Sequence, residues 1–180
     1  MSKRLRLFYA LWPDEATRKA LTSWQSTLSG RKVPPENLHI TLAFLGEQPA
    51  DLVPELSKIL ASLSSDKIEL LIDRTGYFPH NRINWAGTAK TPPALLQLQK
   101  TLIAALSEKH ISFDKRNRFK PHITLGRQSD RMKSIDRPPI IWQADHLVLV
   151  ESRFRQDEKG MHPQYIPIAE HWLGNRQSAQ

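Results

Sequence analysis

The tetrapeptide His-Ile-Thr-Leu occurs twice, at residues 39–42 and 122–125, a spacing of 83 between the two histidines. Four shared residues alone constrain little, and their surroundings constrain more. Upstream of each copy runs the same succession: an apolar strand pattern, a helical pattern and a basic loop containing proline. This equivalence predicts two copies of one βαβ-like unit related by a pseudo-twofold axis. No low-complexity linker separates them, so residues 1–180 are expected to form one domain of two packed lobes.

The elements follow from periodicity. Residues 5–11 read as a strand running from an edge into the core, stopped by Pro13, and Asp14 and Glu15 suit a first helical turn. Thr17, Ala20, Leu21, Trp24 and Leu28 recur at helical spacing up to Gly30. Residues 38–45 predict a strand, Leu52, Leu56, Ile59, Leu60 and Leu63 a helix, and residues 68–72 a further strand. The second half repeats the order, with a strand over 83–89 and a helix from Pro92-Pro93 carrying Leu95, Leu98, Leu102 and Leu106 on one face. The second His-Ile-Thr-Leu strand follows, then strands over 146–151 and 165–168. The expected class is α+β: two β-sheets in a bilobal pseudo-twofold arrangement, flanked by helices, with a central cleft.

Alternate residues of a strand share a face, so His39 points with Thr41 and His122 with Thr124, while Ile40, Leu42, Ile123 and Leu125 point oppositely. The apolar face packs. Near a pseudo-axis the other face brings two imidazoles and two hydroxyls to one cleft. Such a set suits a phosphodiester: one imidazole takes a proton from water while the other, as imidazolium, protonates the departing oxygen. The hydroxyls hold the non-bridging oxygens. The pattern does not say which histidine plays which part. By the same alternation Phe44 belongs to the core with Leu42, and Arg127 reaches the cleft only if its strand bends near Gly126.

Composition narrows the classes. The 26 Lys+Arg against 18 Asp+Glu leave a net charge of +8, favouring an anionic partner. With no cysteine there is no disulfide framework, thiolate nucleophile or thiolate-bound zinc, which is compatible with a reducing compartment. The longest apolar run, residues 7–12, is six residues, far short of the twenty or so of a membrane span. It leads into Pro13 and two acids instead of a cleavage site, so it reads as a strand of a cytoplasmic protein and not as a signal peptide.

The segments Leu-His-Ile-Thr-Leu-Ala-Phe-Leu-Gly at 38–46 and Pro-His-Ile-Thr-Leu-Gly-Arg at 121–127 resemble the paired His-x-Thr/Ser-x motifs of the two-histidine (2H) phosphoesterases. More narrowly the chain resembles the bacterial and archaeal RNA 2′,3′-cyclic phosphodiesterases, also called 2′-5′ RNA ligases, and Tyr-Ile-Pro at 165–167 fits that likeness. The resemblance implies His39 as proton donor to the leaving 3′ oxygen and His122 as proton acceptor from water. It implies phosphate binding by Thr41, Thr124 and Arg127, a 2′-phosphomonoester product, no metal and no cofactor. The implied partner is RNA with a 2′,3′-cyclic phosphate end, tRNA halves among the candidates. A monomer is expected.

Two other readings stand beside this one: reversible 2′-5′ ligation of RNA at the same site, and a basic RNA-binding module with structural histidines. The loop over 115–120 offers cations for a phosphate backbone and Phe119 for a base, or is simply a solvated loop. Trp85 and Tyr165 could flank the terminal base or fill the core. His80, His110, His146, His162 and His171 sit in no repeated frame and read as surface or capping groups.

Overall fold

A computed structural model describes residues 3–174 apart from 117, 135 and 159. Its elements in chain order are β1 (Arg4–Leu11), α1 (Glu15–Trp24), β2 (Arg31–Lys32), β3 (Ile40–Pro49), α2 (Val53–Ser62), β4 (Ile68–Ile72), β5 (Arg74–Phe78), β6 (Ile83–Gly87), α3 (Pro93–Glu108), β7 (Ile123–Arg127), β8 (Ile140–Ala144), β9 (His146–Asp157) and β10 (Gly160–Trp172). None of the described helices is long and apolar enough to cross a membrane.

The main sheet runs β10-β9-β1-β3-β7-β6-β5, with the short β2 against β7, and β4 pairs with β8 in a separate ribbon. Its two halves meet between β3 and β7 through a single matched pair, Ile40 with Ile123. That antiparallel register sets the start of each strand at the seam. His39 and His122, one residue before each strand, therefore flank the axis from opposite sides. The fold is the expected α+β bilobal arrangement with its cleft at the junction.

The repeated unit differs from a βαβ crossover. β1 and β3 are antiparallel neighbours, as are β6 and β7. After α1 leaves the sheet, the extended segment following Leu28 carries the chain back, and β3 begins with Ile40 paired to Leu11, where β1 ends. β1 is also an inner strand, bonded to β3 on one side and β9 on the other, and not an edge strand.

The helices cover one face. Asp14 caps α1 by accepting the Thr17 N–H at 2.7 Å. Leu21 and Trp24 of α1, Leu56, Ile59 and Leu60 of α2, and Leu95, Leu98, Leu102 and Leu106 of α3 are buried with Leu7, Tyr9 and Leu11 of β1. The alternate residues of β1, Phe8 and Ala10, join Val148 and Val150 in a second cluster on the opposite face, against which Trp12, Phe44 and Tyr165 pack. This small cluster floors the cleft. His171 caps the end of α2, its Nε2 lying 2.7 Å from the Leu63 carbonyl.

Candidate active site

A cleft of about 950 Å³ opens over the seam, lined at its centre by His39, Thr41, His122, Thr124, Phe44 and Arg127. All five residues expected to carry the chemistry are thus brought together. Each histidine is oriented by its own chain. His39 Nδ1 lies 2.6 Å from the Asn37 carbonyl and His122 Nδ1 lies 2.7 Å from the Lys120 carbonyl, in both cases two residues back. A carbonyl only accepts, so Nδ1 carries the hydrogen in both rings and Nε2 is left for the cleft. His39 Nε2 is 2.9 Å from the Thr41 hydroxyl.

Aromatic rings enclose both imidazoles. His39 stacks between Phe8 (centroids 4.9 Å apart) and Trp12 (5.9 Å), with Tyr165 edge-on at 5.3 Å. His122 meets Phe78 edge-on at 5.2 Å and Trp85 at 6.4 Å. Burial among these rings pushes the His39 pKa down to about 4. The Asn37 carbonyl opposes the shift, and charge on His122, Arg127 and Arg18 reinforces it. His122 is lowered too, by burial first, against the pull of the Lys120 carbonyl and with repulsion from Arg127 and Lys120. Both imidazoles are neutral near neutral pH before an anion enters the cleft.

The bend required for Arg127 is present. In β7, Thr124 pairs with Trp85 and Gly126 with Asn84, so Leu125 is an extra residue, a β-bulge. Arg127 consequently shares the cleft with Thr124. The same device corrects the expectation for Phe44. Thr41 pairs with Ala10 and Ala43 with Tyr9, so Leu42 is bulged and the alternation reverses beyond it. Phe44 turns toward the cleft under the Arg6 guanidinium, 4.7 Å from its ring centroid, instead of into the main core.

Other expectations sort differently. Phe119 packs against the main core and is not a base platform; Arg116 of the same loop is paired with Asp114 at 2.8 Å, and Asn117 lies outside the described residues. Trp85 lies across Gly76, where an added Cβ would fall 2.0 Å from the indole Cζ2. It therefore backs His122, whereas Tyr165 lines the cleft. His162 also reaches the cleft rim, with Nε2 2.9 Å from Asp157. His146 stacks on Trp172 at 3.9 Å.

Three contributors carry no motif: Trp12, Arg18 and Asn37. Arg18 Nε donates to the Pro13 carbonyl at 3.0 Å, its Nη1 to the Pro35 carbonyl, and its guanidinium lies 4.8 Å from the Trp12 centroid. Asn37 Nδ2 donates to the Pro163 carbonyl at 3.0 Å, tying the His39 turn to β10. Asn37 has only its nearness to the first motif as a sequence signal, and Trp12 and Arg18, far upstream of His39, have none, because the ring contacts and backbone carbonyls that recruit them are invisible in side-chain identity.

The profile of the family described as LigT like Phosphoesterase matches residues 11–85. An RNA 2′,3′-cyclic phosphodiesterase of Escherichia coli K12 is 32% identical over 146 residues, covering 79% of this chain and 82% of that protein. One from Thermus thermophilus is 32% identical over 170 residues, covering 84% and 83%. The crystal structure of apo E. coli LigT superposes with a TM-score of 0.80 at 27% identity, over 96% of this chain and 99% of that one. TT0787 of T. thermophilus gives 0.73 at 30% identity over 95% and 99%. Shared sequence over most of both chains, on a shared fold, shows that this chain belongs to the LigT-like phosphoesterase family.

Proposed function

We propose that the protein hydrolyses 2′,3′-cyclic phosphate ends of RNA to 2′-phosphomonoesters by two-histidine acid–base catalysis without a metal. The observation that carries this reading is the matched Nδ1–H bond of His39 and His122 to the carbonyl two residues back. It leaves two Nε2 atoms for one cleft, on opposite sides of a pseudo-axis. In-line displacement at phosphorus needs that layout, with a base on the entering water and an acid on the departing oxygen.

His122 Nε2 takes the proton of the attacking water. His39, as imidazolium, gives its Nε2 proton to the 3′ oxygen as the P–O3′ bond breaks and the 2′ phosphomonoester is left. Thr41 and Thr124 donate to the non-bridging oxygens, and Arg127 balances their growing charge. The low His39 pKa that precedes substrate binding suits this order of events. Burial is the main cause of that low value; a phosphate held beside the ring supplies the negative charge that a buried imidazolium lacks and also offsets the smaller repulsion from Arg127 and Arg18, so the proton is taken up when the substrate arrives. Thr41 then turns its hydroxyl from His39 to the phosphate.

The relatives named as RNA 2′,3′-cyclic phosphodiesterases support the substrate class. Residues 1–180 acting as one domain, a monomeric state, a cytoplasmic location and tRNA halves as natural substrates belong to the same reading. The test is incubation of an oligoribonucleotide ending in a 2′,3′-cyclic phosphate with the protein in excess EDTA. A 2′-phosphomonoester is expected, with turnover lowered by about 10²–10⁴ in His39→Ala and in His122→Ala and folding retained. Full activity in either variant would overturn it.

A further inference from the structure

Beyond the histidines the cleft continues along the β9–β10 hairpin. Ser152 is matched with Tyr165, Phe154 with Pro163 and Gln156 with Met161. Opposed residues of an antiparallel pair share a face. The face on which Tyr165 meets His39 therefore carries Phe154, Pro163 and Met161 outward along the arm. Phe154 is 62% exposed and Met161 58% exposed, and both line the cleft. They are diagonal neighbours on the ladder, so they form one small apolar platform and not two scattered side chains.

The surroundings say what covers it. The cleft is lined by five permanent cations, Arg6, Arg31, Lys32, Arg127 and Arg155, against two carboxylates, Glu36 and Asp157. Asp157 is already bonded to His162. An apolar ledge beside a basic groove suits a strand that is anionic along its backbone and flat-faced in its side groups. A single-stranded polynucleotide fits this, because stacking and phosphate attraction act together. Tyr165, Pro163 and Met161 are spaced about 7 Å apart along β10, a stride on which successive unstacked bases can be laid.

We propose that this hairpin face is a binding track for the nucleotides preceding the cyclic end of a single-stranded RNA, with bases against Phe154 and Met161 and phosphates toward the cations. The track rests on the reaction proposed above only for the identity of the terminal group. It makes the protein length-selective and tolerant of base identity, since every base offers a flat face.

The test compares the wild-type protein with Phe154→Ala/Met161→Ala on oligoribonucleotides of one to five nucleotides ending in a 2′,3′-cyclic phosphate. Binding of a fluorescein-labelled pentanucleotide ending in a 2′-phosphate is followed by anisotropy. In the wild type, KM is expected to fall about tenfold or more between one and three nucleotides at constant kcat. In the double variant, KM stays at the mononucleotide value for every length, and Phe154→Tyr restores the difference. A wild-type KM independent of length, a length effect untouched in the variant, or an equal loss on the mononucleotide would each overturn the track. Were the wild type to open none of these ends, the reaction would fail while anisotropy still decided the track. Tenfold weaker pentanucleotide binding by the variant would support it, and equal binding would overturn it. A wild-type dimer in sedimentation that the substitutions dissociate would assign the face to a second copy and overturn it too.

Discussion

Phe44 and Arg127 stand at equivalent places in the two halves, each two residues beyond a bulged leucine and each turned into the same cleft. The duplicated backbone device delivers an aromatic ring to the cleft from one half and a guanidinium from the other. The halves are alike in how they hold a histidine and unlike in what they hold beside it. Under the proposed reaction, that difference would give a nearly symmetric pocket one preferred orientation for an asymmetric diester.

Arg127 is therefore expected to bear on the charged transition state. Arg127→Met should lower kcat/KM for a cyclic-ended oligonucleotide by about a hundredfold and weaken inhibition by inorganic phosphate. Phe44→Leu should cost far less. Steady-state kinetics on the two variants checks both, and equal losses would show that the two positions are not differentiated.

The His39 titration has a sign that can be tested. An unfolded imidazole protonates near 6.5, whereas folded His39 does so at about 4, so the unfolded chain binds the proton first. This site's contribution is fully present above about pH 6.5 and is lost as pH falls toward 4, by at most about 3 kcal/mol. Urea unfolding of the wild type should weaken over that window, and His39→Asn should weaken less. In NMR titrations, saturating phosphate should move the His39 midpoint upward.

Arg18 acts through Trp12 and the turn before His39. Arg18→Met should lower kcat by about ten- to a hundredfold with little change in KM, because it loosens a ring and a carbonyl path that aim the imidazole. It should also raise the His39 pKa by removing a nearby positive charge. Arg18→Lys keeps the charge without the planar fork, so it should leave the His39 midpoint low and kcat impaired. An unmoved midpoint in Arg18→Met would show that Arg18 is only a structural strut.

Gly76 gives the Trp85 indole its place across the strand. Gly76→Ala should cost about 1–3 kcal/mol by overpacking, read as a lower urea midpoint, and should reduce turnover because Trp85 flanks His122. Retained stability and activity would mean that the ring has somewhere else to go.

Much of this was legible in residue order. The leucine spacing of 95, 98, 102 and 106 marks α3, and the alternation of 68–72 marks β4, because both periods face a core directly. The meeting of His39 and His122 in one cleft was legible because the motif that carries them is duplicated. β5 and β8 were not: Arg-Thr-Gly-Tyr-Phe at 74–78 carries a glycine that makes sense only beneath Trp85, and in β8 an exposed Ile141 stands between buried Ile140 and Trp142, so its alternation does not show in residue type. The bulges were hidden as well. A bulge is a property of two strands in register, and neither strand alone shows which residue is extra.

The bonds from His39 and His122 to carbonyls two residues earlier bear on heredity as much as on chemistry. The tautomer of each ring is set by a backbone carbonyl two residues earlier, with no side chain needed for that step. Such a cassette survives duplication intact even where the walls that tune each ring have diverged, Phe8 and Trp12 around one and Phe78 and Trp85 around the other. A lineage can therefore re-surface the cleft for new diesters, and an engineer can re-pave it, while the proton-handling apparatus is inherited unchanged.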